Sequence, residues 1–61
     1  MDLQSKLENL KFAQSMLVEI ARRTDAAGEK LLTYLIQMAH SEAEDRITEL
    51  NERQPASRER F

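Results

Sequence analysis

The run Leu31-Leu-Thr-Tyr-Leu-Ile-Gln-Met-Ala39 constrains this chain more than any other feature. It is more apolar than one face of a two-helix protein requires, and it sits among charged, helix-favouring residues. The chain around it has only 61 residues. A chain of that size forms one domain at most and buries only about 60% of its unfolded surface. It is too short to cover the run unaided. Small domains gain stability from disulfides, metals or oligomerisation. The sequence has no cysteine, which excludes disulfides, thiolate zinc sites and cysteine nucleophiles. Association is the remaining route, so the run points to self-association or to a partner.

The rest of the sequence favours helices. Leu, Ala, Glu, Lys, Gln, Arg and Met dominate, and no segment alternates with the period of a strand. A first helix is expected over about residues 2–23, with Asp2 as its N-terminal cap or first-turn acid. Leu3, Leu7, Leu10, Ala13, Leu17, Ile20, Ala21 and Thr24 recur at spacings of three and four and form its apolar stripe. Lys11, Ser15, Glu19 and Arg22 lie opposite. A second helix is expected over about residues 26–51. Its main stripe is Leu32, Leu35, Ile36, Ala39, Ala43, Ile47 and Leu50. Leu31, Tyr34 and Met38 add a second stripe confined to its first half. Together these cover more of the circumference than the apolar face of about 100° typical of a surface helix. From residue 52 onward the sequence is polar and aperiodic, and Pro55 blocks a helix, so a disordered tail over 52–61 is expected.

The segment Thr24-Asp25-Ala26-Ala27-Gly28-Glu29 decides the architecture. Asp25, or less well Thr24, can cap a second helix, with Glu29 in its first turn. Yet the two stripes run nearly in phase through this segment. A heptad series continues through Thr24, Gly28, Leu31, Leu35 and Met38, which leaves one long coiled-coil helix as the alternative. Ala, Thr and Gly make poor knobs in the middle of such a seam. The series also fails beyond Met38, where its next members are Glu42, Asp45 and Glu49. The sequence therefore favours an all-α fold: a two-helix antiparallel hairpin that dimerises into a four-helix bundle.

Charge narrows the function classes. Lys6, Lys11, Arg22 and Arg23 balance Asp2, Glu8, Glu19 and Asp25 in the first 27 residues. In residues 28–50, Glu29, Glu42, Glu44, Asp45 and Glu49 face only Lys30 and Arg46. Nucleic-acid-binding domains usually present a basic face, which this distribution does not supply. An interfacial membrane helix would carry cations on its polar face, where segment two carries acids. The apolar run falls far short of the roughly 20 residues of a membrane span. The first residues show no basic head followed by an apolar run, so no secretory signal is expected there and a cytoplasmic protein is.

No constellation points to catalysis. His40 is the only histidine, and Glu44 four residues on gives it one carboxylate on the same face. That is too few ligands for a metal unless a dimer doubles them, so no metal site is assigned and a solvent-exposed His40 is expected. Glu42, Glu44, Asp45 and Glu49 spread around their helix and read as a solvated acidic face, with a second use as a docking patch for a basic partner. The hydroxyls of Ser5, Ser15, Thr33, Ser41, Thr48 and Ser57 have one histidine among them. Gly28, the only glycine, builds no phosphate loop. No catalytic or cofactor-binding residue is assigned.

What remains is surface. Phe12 and Met16 lie to one side of the first stripe, and Tyr34 and Met38 to one side of the second. With Leu31 and Leu35 they form the expected interaction surface, rich in the aromatics and methionines enriched at protein contacts. The expected function is a non-enzymatic protein-interaction module, a small regulatory adaptor or assembly subunit, that forms a homodimer. A small DNA-associated regulator of antitoxin type and a metal or ligand binder at a dimer seam are the alternatives.

Overall fold

A computed structural model describes residues 2–52, which fold as two helices packed against each other in a hairpin. Helix α1 spans Leu3–Ala26 and helix α2 spans Lys30–Glu52. The expected disordered tail lies outside the described residues from 53 onward, while Glu52 itself belongs to α2.

The start of α1 follows the sequence. Asp2 is extended, and its carboxylate accepts the backbone N–H of Ser5 at 2.8 Å. This satisfies one of the helix donors that lack an intrahelical acceptor. The Ser5 amide, and secondarily the Ser5 hydroxyl, hold the Asp2 carboxyl below its ordinary value of 3.8, against a small opposing effect of desolvation.

The turn departs from the expected capping. Asp25 does not cap α2; it lies in the last turn of α1, which runs past Arg23 to Ala26. The break comes from Gly28, whose φ of +79° places it in the left-handed region. The Gly28 amide donates to the Asp25 carbonyl at 2.9 Å and the Glu29 amide to the Thr24 carbonyl at 2.9 Å. This pair of bonds, with a left-handed glycine between, is a Schellman termination. It ends α1 cleanly and excludes the continuous helix that the heptad series left open.

The seam between the helices differs along its length. At the open end Leu7, Ile47 and Leu50 form the buried cluster, with Leu3 and Leu10 packed against it. Ala43 is buried beside them in sequence. Toward the turn the seam is lined by small and polar groups. Thr24 and Thr33 meet there with their hydroxyl oxygens 2.6 Å apart. Thr24 Oγ1 also lies 3.1 Å from the Ala21 carbonyl, and Thr33 Oγ1 2.8 Å from the Glu29 carbonyl. Each hydroxyl has one proton. One threonine therefore donates across the seam while the other donates to its own helix.

Counting outward from the Thr24–Thr33 pair sets the levels of the two helices. Ile20 lies level with Gln37, Met16 with Ser41, and Leu7 with Leu50, which the shared Leu7–Leu50 cluster bears out. The expected stripes divide accordingly. Leu3, Leu7, Leu10, Ala13, Leu17, Ala21 and Thr24 of α1 turn at least partly inward, as do Ile36, Ala43, Ile47 and Leu50 of α2. Ile20, Leu32, Leu35 and Ala39 were expected in the same stripes, yet they are exposed. They flank the seam rather than fill it, because Thr33, Ile36 and His40 occupy the inward positions of that half of α2.

Candidate functional site

The candidate site is a surface, and helical geometry determines its shape. Successive residues turn by about 100° around a helix. The inward residues therefore fix where every other side chain points. Leu31 and Met38 fall opposite the inward positions of α2, on its outer ridge, and are 72% and 51% exposed. Tyr34 and Leu35 lie on either side of that ridge, both more than half exposed. Four of the six residues expected to form an interaction surface thus share the exposed side of one helix, within about two turns. The remaining two lie on α1. Met16 turns toward the same broad side of the hairpin as Leu35, while Phe12, 67% exposed, lies on the back of α1. The structure does not bring Phe12 to the α2 surface.

Three large exposed apolar side chains among the described residues were not among the six. Val18, Ile20 and Leu32 are each about two-fifths exposed or more. Ile20 and Leu32 were assigned to the stripes, because spacing alone does not separate a seam position from its flank. With Ala13 and Ala39 they extend the surface across both helices.

The acidic residues Glu42, Glu44, Asp45 and Glu49 follow the apolar surface along α2 and are all exposed. Glu42, Asp45 and Glu49 continue the outer side of the helix beyond Leu31, Leu35 and Met38. Glu44 turns to the opposite flank. Arg46 bonds Glu49 one turn on, leaving the patch acidic on balance.

The other broad side of the hairpin carries an open groove of about 440 Å³, lined by Leu17, Val18, Ala21, Arg22, Asp25, Gln37, His40 and Ser41. His40 is half-buried there rather than solvent-exposed as expected, because it lies three residues before buried Ala43 on the inward side of α2. Arg22 is held by Glu19 at 3.0 Å on the surface of α1. Among the described residues no three His, Asp or Glu side chains gather as a metal-ligand set, and no helix is long and apolar enough to cross a membrane.

Comparison with protein-family models, with characterised proteins and with solved structures yields no match.

Proposed function

We propose that this chain is a non-enzymatic protein-interaction module that pairs with a second copy into a four-helix bundle and acts through the apolar surface of α2. One observation carries the reading. Among the described residues nine large hydrophobic side chains are exposed, against three large ones, Leu7, Ile47 and Leu50, that are buried. Each large side chain left in water forgoes roughly 1.5–3 kcal/mol of burial. Several of them together rival the whole stability of a small domain, about 5–15 kcal/mol. A surface of that kind favours association. The acidic stretch beyond it adds orientation and on-rate toward a basic surface on a further partner.

The test is sedimentation equilibrium at micromolar concentration, read beside circular dichroism. The expected mass is a dimer or higher multiple of the 7.1 kDa chain. Leu35→Asp places a carboxylate on the proposed contact and should shift the protein to monomer, since an unpaired buried charge costs several kcal/mol. A wild-type chain that stays monomeric and unfolds cooperatively on its own would refute the reading.

A further inference from the structure

We infer that the second copy sits on the broad side of the hairpin formed by Ala13, Met16, Ile20, Leu32, Leu35 and Ala39, related by a twofold axis parallel to the helices, with both turns at the same end. The inference rests on the self-association proposed above and adds its geometry.

The six residues come from both helices, yet helical register places them on one side of the seam. Ala13 and Ile20 flank the inward residues of α1, and Leu32 and Ala39 flank those of α2 on the same side. Met16 and Leu35 lie just beyond these. The opposite side carries the groove of Val18, Arg22, Gln37 and Ser41, which is more polar. By the levels set from the Thr24–Thr33 pair, the six lie mainly in the half of the hairpin nearest the turn. The open half of the same side carries charge: Lys6 on α1, and Glu42, Arg46 and Glu49 on α2.

This division selects the arrangement. A twofold axis along the hairpin lays α1 of one copy on α2 of the other at equal levels. Apolar half then meets apolar half, and every neighbouring helix pair is antiparallel. Lys6 of one copy falls within about two residues' rise of Glu49 on the other, and symmetry repeats the pairing. Reversing one hairpin with full overlap would lay Leu32 and Leu35 over the partner's Arg46–Glu49 ion pair, stripping water from both charges beneath apolar side chains. Sliding the reversed copies until only the turn halves overlap avoids that contact, but leaves Ala13 uncovered and Met16 only at the edge of the overlap.

The sequence has no cysteine, so single labels report the arrangement directly. Gln4→Cys and Lys30→Cys lie at opposite ends of the hairpin and outside the proposed contact. Spin labels at either site should be separated only by the width of the bundle, roughly 20–25 Å for helices packed about 10 Å apart. In a reversed dimer the Gln4 labels would be displaced by the length of α1, about 36 Å or more for 24 residues. The charge register supplies an independent readout. Lys6→Glu and Glu49→Lys should each weaken the homodimer several-fold, and an equimolar mixture should recover the affinity through heterodimers. Long Gln4 distances, or a mixture no tighter than its components, would overturn the arrangement while leaving self-association standing. A monomer at all concentrations would overturn both.

Discussion

The two halves of the hairpin solve the same packing problem in opposite ways. In the open half, Leu3, Leu7 and Leu10 meet Ile47 and Leu50 across the seam, and the outward positions of α2 are Glu42, Asp45 and Glu49. Large apolar residues face in and charges face out. In the turn half the seam holds Ala21, Thr24, Thr33 and Ile36, while Leu31, Leu35 and Met38 face out. Apart from Leu17 and Ile36, small and polar side chains occupy the space between the helices, and most of the large apolar ones are turned to the surface. The first half holds the folded core, and the second leaves its large apolar side chains exposed. A hydroxyl pair at the seam also suits that division: it fixes the level of the two helices by a directional bond, where apolar packing would let them slide.

The largest effects should separate the halves. Leu50→Ala empties a site that is only 4% exposed and should cost about 2–5 kcal/mol, read as a fall in the urea midpoint at every protein concentration. Leu35→Ala removes a side chain of similar size from the proposed contact between copies, where it is exposed in the single hairpin. Its effect should be concentration-dependent, because mass action couples stability to association. Melting curves across a hundredfold dilution distinguish the two. If Leu35→Ala lowers stability by a fixed amount independent of concentration, that side chain packs within the hairpin and the contrast between halves fails.

The open half was legible in the sequence because one residue pattern served one purpose there. A single stripe between acids identifies its own inward side, and Leu7, Ile47 and Leu50 are where the spacing places them. The turn half was not legible in the same way. Its apolar residues cover so much of the helix that several choices of inward side fit the spacing. Leu32 and Leu35 appear as good a seam as Ile36. What decides between them is Thr33, a polar residue drawn inward by its partner Thr24 nine positions earlier, and a sequence pattern built on hydrophobicity does not mark such a pair. The exposure of Leu31, Tyr34 and Met38 was legible because they exceed what one face can use. Phe12 was grouped with them by residue type and helical offset, which carry no information about the relative rotation of the two helices.

The turn that joins the halves gives the next effect. Gly28 holds φ at +79°, and a Cβ added there meets nothing within 4 Å. The cost of Gly28→Ala is therefore one of backbone alone, about 1–2 kcal/mol for an L-residue in the left-handed region. Gly28→Asn should cost less, since asparagine tolerates that region better. The thermal midpoint checks both. Equal midpoints for wild type and Gly28→Ala would mean that the chain does not require the left-handed termination, and the sharp division at the turn would lose its cause.

The smallest effect belongs to the open end. The Asp2 carboxylate accepts the Ser5 amide, and that bond holds its pKa below 3.8. The charged form is the one favoured by folding. Its contribution is present above the ordinary carboxylate value and is lost as the pH falls through the lower folded value. The first turn of α1 should therefore fray below about pH 4, the ordinary aspartate range, while the turn half is unaffected by this group. Asp2→Asn keeps a capping oxygen without the titrating proton, so it should hold the first turn as the pH falls. The Ser5 amide chemical shift, followed by NMR between neutral and acid pH, reports the event at its source. A Ser5 midpoint at or above the ordinary aspartate value in wild type, or the same titration in Asp2→Asn, would show that the cap does not bear on the carboxyl and that the open end is secured by its apolar cluster alone.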